Sequence, residues 1–314
     1  MKNYKKILSV VMTAAMAASL AACGNSTANT SSTTDAAASD SAQTSDAVAT
    51  ESGAGTSSDG KKYTIGICQQ LEHPALDQAT QGFEDALTKL LGSGNVTFDL
   101  QNAQGEQANC ATISNGFVAN NYDLILANAT TALQCAAAAT STIPVIGTSV
   151  TDYATALDID NWTGSTGTNV SGTADLAPID QQEDMLVELF PDAKNVGILY
   201  CSAEPNSVYQ SDVVKAELEK SGVTVSVYTF ADSNDVASVT TSACAASDVI
   251  YIPTDNTAAS CTEAIRNVVV PAKTPVVAGE QGICSGCGVA TLSIDYHQLG
   301  EVTGEMAYEI LVKG

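Results

Sequence analysis

From Tyr63 onward the sequence predicts an α/β protein made of two similar units, each with a parallel sheet covered by helices. Short apolar runs such as YTIGIC and DLILAN alternate with longer stretches of helical periodicity. The runs are apolar almost throughout, as strands buried on both faces must be. The alternation then restarts after a Gly- and Thr-rich stretch, WTGSTGTNVSGTADLAP, which separates the two units.

The first element is an address rather than a fold. Lys2, Lys5 and Lys6 precede an apolar run from Ile7 to Ala22, too short and too one-sidedly basic for a membrane span, so residues 1–22 read as an export signal. Leu20-Ala21-Ala22-Cys23, followed by Gly24, resembles the bacterial lipobox, which implies a signal peptide of the lipoprotein type and lipidation at Cys23. Residues 23–60 then form a tether: Ser, Thr, Ala and Gly dominate, and no large apolar group is present to offset the entropy of ordering. The expected location is extracytoplasmic, lipid-anchored to the bacterial cell membrane.

In the first unit YTIGIC leads into PALDQATQGFEDALTKLL, where Leu76, Ala79, Phe83, Ala86 or Leu87, and Leu90 recur at helical spacing. VTFDL, DLILAN and IPVIGT follow as strands, with helices starting near Gln104 and Thr130. The second unit opens with the helix IDQQEDMLVELF and continues through the strands NVGILYC, VTVSVYTF, DVIYIP and TPVVAGE, again separated by helices. ATLSID is a candidate crossing back to the first unit, and the last helix carries Leu299, Val302, Met306 and Ile310 on one face, suited to packing there. The expected division is lobe 1 at residues 61–177 plus 290–314 and lobe 2 at 178–289. These are Rossmann-like lobes with a ligand cleft between them, beyond the carboxyl ends of their strands.

Several motifs carry a family resemblance: Gly66-Ile67, Gln69, His73-Pro74-Ala75-Leu76-Asp77, Gly82-Phe83-Glu84 and Gln101-Asn102-Ala103-Gln104-Gly105 in the first half. Pro144-Val145-Ile146, Asn169-Val170-Ser171-Gly172, Leu199-Tyr200, Glu204, Asn206-Ser207, Ile252 to Asn256, Ile294-Asp295-Tyr296 and Leu299-Gly300 continue it. On these residues the chain resembles the substrate-binding lipoproteins of ABC importers, with the type I periplasmic-binding-protein fold, and most closely the tryptophan or aromatic-amino-acid-binding members. The resemblance implies a receptor without catalysis or cofactor. Two lobes would close on L-tryptophan, L-phenylalanine or L-tyrosine and hand it to ABC permease and ATPase subunits. A sugar or nucleoside importer and a sensing or adhesion lipoprotein are the alternatives.

An amino acid brings an ammonium and a carboxylate into a partly dry cleft, and both need partners. Candidates sit at strand exits. Asp255 can accept from the ammonium or serve as the N-cap of the following helix, and Asn256 can donate or accept. Gln69 follows the first strand, where it can orient a carboxylate or lock a loop. Glu204, Asn206 and Ser207 occupy the matching exit in the second unit. Thr130 and Thr131 lie at one further exit and Thr148 and Ser149 at another, with turn and cap duty as the plainer role. Glu280 follows TPVVAG as a further ligand candidate.

Other classes fare poorly. The chain has 12 basic against 35 acidic residues, a net charge of -23, with no basic patch for nucleic acid. His73 and His297 are the only histidines, and neither lies in an HExxH motif; GxGxxG and GxxxxGK[ST] motifs are missing too. Eight cysteines beyond Cys23 allow up to four disulfides or a set of buried thiols, and CSGC alone falls short of a metal site. Tyr153, Tyr209 and Tyr296 are candidate apolar walls; Trp162 is either a cleft-rim or a surface residue.

Overall fold

The computed structural model describes residues 60–314. The expected signal peptide, the lipidation at Cys23 and the tether before Gly60 lie outside the described residues.

Lobe 1 runs β1 (Tyr63–Gln69), α1 (Pro74–Leu91), β2 (Val96–Asn102), α2 (Gln107–Ala119), β3 (Leu124–Asn128), α3 (Thr130–Ala139), β4 (Val145–Val150), α4 (Tyr153–Ala156) and β5 (Val170–Ala174). Lobe 2 runs α5 (Ile179–Leu189), β6 (Asn195–Cys201), α6 (Pro205–Lys220), β7 (Thr224–Phe230), α7 (Val236–Ala246), β8 (Val249–Ile252), α8 (Asn256–Ser260), α9 (Thr262–Ala272), β9 (Val276–Ala278), α10 (Gln281–Cys287) and β10 (Ala290–Thr291). α11 (Tyr296–Lys313) closes the chain. All strand pairs are parallel.

The two sheets have one topology. Their orders are β2-β1-β3-β4-β5 and β7-β6-β8-β9-β10, so each lobe places its second strand outside its first and then proceeds in sequence. The chain changes direction between β1 and β3, and between β6 and β8, and loops leaving such a switch point splay apart to leave a crevice. β3 and β4 are buried at every residue, which accounts for their apolar starts, with polar Asn128, Thr148 and Ser149 held back to the carboxyl ends.

Three details depart from the sequence expectations. β5 falls inside the Gly- and Thr-rich stretch expected only to separate the two units; Val170–Ala174 pairs with β4 despite its small, polar residues. Ala290 and Thr291 pair with Val277 and Ala278, so the crossing expected to begin at 290 starts after β10. The final helix packs on lobe 1 with Leu299, Met306 and Ile310 of the expected face against its core, but its buried residues are Tyr296, Gly300, Thr303, Gly304 and Ala307, and Val302 is exposed. The reason is steric. A Cβ on Gly82 of α1 would stand 2.0 Å from the His297 carbonyl oxygen, and one on Gly300 would stand 2.1 Å from that of Ala79. Small residues let the backbones of α1 and α11 approach closely, and the larger side chains flank the seam.

Candidate functional site

The carboxyl ends of both sheets face a common cleft with a wide part and a narrow part. The wide part, about 550 Å³, is lined by Gln70, Leu71, Gln107 and Thr131 of lobe 1 and Glu204, Pro205, Asp232 and Thr257 of lobe 2, among others. No aromatic ring lines it. The narrow part lies next to it, since Asn256 lines one and its neighbour Thr257 the other. It has only about 10 Å³ of free room, roughly one water. His73, Ser149, Thr151, Asp175 and Tyr296 surround it from lobe 1, and Asn206, Thr254, Asp255, Asn256 and Glu280 from lobe 2.

Hydrogen bonds cross between the lobes at this point. His73 Nε2 lies 3.1 Å from Asn256 Oδ1, and Gln210 Nε2 donates to Thr151 Oγ1 at 3.2 Å. The lobes are therefore closed on one another, and an amino acid must part them to enter.

Lobe 2 presents carboxylates that are already engaged. Asp255 caps α8 through Oδ1, which accepts from Ala258 N at 2.7 Å, while Oδ2 accepts from Cys201 N and Ser207 Oγ, each at 2.7 Å. It thereby ties the exit of β6 to that of β8. Glu204 accepts from the backbone and side chain of both Asn256 and Thr257, and from Asn206 Nδ2. Glu280 caps α10 by accepting from Gly282 N and Ile283 N.

Lobe 1 presents groups with capacity to spare. Asp175, just past β5, accepts one hydroxyl on each oxygen: Thr151 at 3.2 Å and Tyr296 at 3.0 Å. Ser149 sits where the β4–β5 register shifts, between Gly147 and Val150, with φ of 55. Bulges of this kind re-aim side chains, and a left-handed serine costs roughly 1–3 kcal/mol. Its hydroxyl, His73 Nδ1 and Asn206 Oδ1 are buried, and none has a hydrogen-bond partner. Buried polar atoms are nearly always paired. Three of the unpartnered buried atoms thus lie around this one cavity.

The electrostatics of the cavity are one-signed. Asp175, Asp255 and Glu280 line the cavity and no Lys or Arg does. Burial pushes Asp175 up to about 6, against the hydroxyl bonds that favour its charge. Burial and the nearby Glu204 charge raise Asp255 as well. A cation relieves this penalty. Beside the acids, the first turn of α1 has no side-chain cap, and its Ala75 and Leu76 line the cavity. The open amides of a helix N-terminus suit an anion.

Among the expected residues, Ser149, Asn206, Asp255, Asn256 and Glu280 meet at the narrow cavity, and Thr131 and Glu204 line the wide cleft. Gln69 locks lobe 1 instead: its amide donates to Leu71 O and Asp77 and accepts from Thr80. Thr148 bonds Thr303, fixing α11 to the sheet. Ser207 serves Asp255, and the Thr130 hydroxyl lines neither part of the cleft. Of the aromatics only Tyr296 lines the cavity; Trp162 is 43% exposed and Tyr153 donates to Thr173 O. The eight described cysteines are free thiols. Asp175, Thr151 and Thr254 were not expected. The available signal for Asp175 was an acid at a strand exit, hidden because VSGTA does not read as a strand.

Among the described residues no group of three or more His, Cys, Asp or Glu is placed to hold a metal, and no helix is long and apolar enough to cross a membrane. Residues 64–314 match the family model described as ABC transporter substrate binding protein. The chain is 36% identical to a tyrosine-binding protein of Clostridioides difficile over 253 residues, 80% of this chain and 73% of that one. A Streptococcus pneumoniae structure of an ABC domain in complex with L-Trp is 35% identical with a TM-score of 0.77, covering 81% of this chain and 86% of that one. A ligand-free, open structure of a substrate binding protein with adhesive properties from Clostridium difficile is 37% identical, covering 79% and 85%, yet its TM-score is 0.57. At equal sequence distance, the described arrangement lies nearer the ligand-bound relative than the open one.

Proposed function

Because the chain belongs to the ABC transporter substrate binding protein family, we infer that it is the solute-binding receptor of an ABC importer and captures a free aromatic amino acid. Its two α/β lobes have the type I periplasmic-binding-protein fold, the closed state is the binding state, and the partners are the importer's permease and ATPase subunits. The observation that carries an amino-acid ligand is the narrow cavity: three carboxylates without a Lys or Arg, three unpartnered polar atoms and an uncapped helix start.

Asp175 is the carboxylate we assign to the ligand's ammonium: each of its oxygens accepts only one hydroxyl, whereas the two oxygens of Glu280 are held by the backbone amides of the α10 cap. Asp255, already holding three donors, supports from behind. The Ser149 hydroxyl and the start of α1 are placed for the ligand's carboxylate. The side chain extends toward the wide cleft, whose volume of about 550 Å³ suits a small ligand. The role that the family supports is capture without catalysis. Anchoring through Cys23 holds the receptor outside the membrane; Cys23→Ala should abolish incorporation of labelled fatty acid.

Calorimetry against the twenty amino acids tests the ligand. The expected result is one site for L-tyrosine, L-tryptophan or L-phenylalanine. Tight binding of a sugar or nucleoside, with none of these three, contradicts the reading.

A further inference from the structure

The tautomer of His73 follows from its neighbours. Glu204 Oε2 accepts from Asn256 Nδ2 at 2.7 Å, which fixes Asn256 Oδ1 as the atom facing His73 Nε2 at 3.1 Å. An amide oxygen only accepts, so Nε2 carries the proton. In the neutral ring the lone pair is then on Nδ1. His73 is only 6% exposed and lines the narrow cavity, and its Nδ1 has no partner.

We propose that His73 links ligand capture to lobe closure: Nε2–H donates across the cleft to Asn256 while Nδ1 accepts a hydrogen bond from the ligand's ammonium. The proposal rests on the reading of the cavity as an amino-acid site. Its physical content is that one rigid ring serves two partners. When lobe 2 arrives, Asn256 occupies Nε2 and orients the ring, so that Nδ1 faces the ligand. When the ligand is present, it orients the same ring for Asn256. Each event lowers the cost of the other, which is coupling in the thermodynamic sense. The Glu204–Asn256–His73 series therefore carries the state of the lobe 2 strand exits to an atom at the ligand.

Histidine-selective ¹⁵N NMR on the full chain tests the tautomer directly, because His73 and His297 are its only histidines. The Nε2–H form is expected for His73, with its Nδ1 resonance moving on addition of L-tyrosine. His297, on the surface beside Asp85, should stay in place. Two variants separate the two bonds. His73→Gln keeps a donor near Nε2 and removes the acceptor at Nδ1; its affinity for L-tyrosine should fall about tenfold or more, while the saturated form still closes in small-angle scattering. His73→Asn keeps an acceptor near Nδ1 and loses Asn256; it should bind, but saturate in a more open form than wild type. A ring protonated on Nδ1, or wild-type affinity and closure in both variants, overturns the proposal while the amino-acid reading stands. If the wild-type chain binds no aromatic amino acid, that reading fails and the proposal falls with it.

Discussion

The two lobes share one strand order yet meet the cleft in different states. In lobe 2 the acids at the strand exits are more heavily engaged: Asp255 holds three donors and Glu204 five, all from the same lobe, and Glu280 is tied to two backbone amides of the α10 cap. In lobe 1 the corresponding edge is under-used, with Asp175 accepting two hydroxyls and the Ser149 hydroxyl and His73 Nδ1 accepting or donating nothing. Asn206 Oδ1 is the one unpartnered atom that lobe 2 adds to the cavity. The difference separates two tasks that sequence reasoning assigns to one residue. A carboxylate held by several backbone amides builds a rigid rim, whereas one held only by two hydroxyls is freer to bind.

The largest expected effect comes from removing the charge of the under-used acid. Asp175→Asn should weaken L-tyrosine binding by roughly 2–5 kcal/mol, the range for losing one partner of a buried charge pair. Calorimetry reads this, with thermal unfolding of the apo protein as control. If affinity is unchanged, lobe 1 is not the binding side and the comparison breaks.

Next comes the more heavily engaged acid, Asp255. Asp255→Ala strips a cap and leaves Cys201 N, Ala258 N and the Ser207 hydroxyl without their acceptor. A stability loss of about 1–3 kcal/mol is expected, seen as a lowered denaturant midpoint, with a smaller change in affinity once folded. A large affinity loss without a stability loss would assign Asp255 the ligand's ammonium and reverse the roles of the lobes.

The smallest effect is a pH dependence. Burial holds Asp175 at about 6 in the ligand-free protein, above its ordinary 3.8. Folding thus favours its protonated form, so this contribution to apo stability is present below about pH 4 and is lost as pH rises through about 6. Near it lie Asp255, Glu280 and the Tyr296 hydroxyl. A bound ammonium favours the ionised form, so affinity should climb about tenfold between pH 5 and 7, one unit of differential protonation being about 1.4 kcal/mol. Calorimetry across that interval checks the sign; affinity that falls with pH would remove Asp175 from the site.

Much of the architecture was readable because buried parallel strands must be apolar on both faces, and DLILAN or NVGILYC admit few other structures. β5 was not readable: Val170–Ala174 is small and polar, and only its pairing with β4 makes it a strand. The α11 face was partly readable: Leu299, Met306 and Ile310 do pack on lobe 1, but periodicity of large residues misses the seam made by Gly82 and Gly300, where bulk is excluded, and Val302 is exposed. At the site, sequence placed Ser149, Asn206, Asp255, Asn256 and Glu280 at one edge, since strand exits are where such folds bind. It could not divide rim from binding groups. Whether Asp255 has a free lone pair depends on Cys201 N and Ser207, which no local pattern near 255 encodes. His73 has the same history: its Nδ1 acquires meaning only when lobe 2 brings Asn256 to the other side of the ring.

The central claim is that the acidic cavity receives the ligand's ammonium. Calorimetry with L-tyrosine and with its analogue lacking the amino group, 3-(4-hydroxyphenyl)propionate, tests it most directly. The account predicts that L-tyrosine binds and that the analogue loses roughly 2–5 kcal/mol. An analogue bound as tightly as L-tyrosine would contradict it.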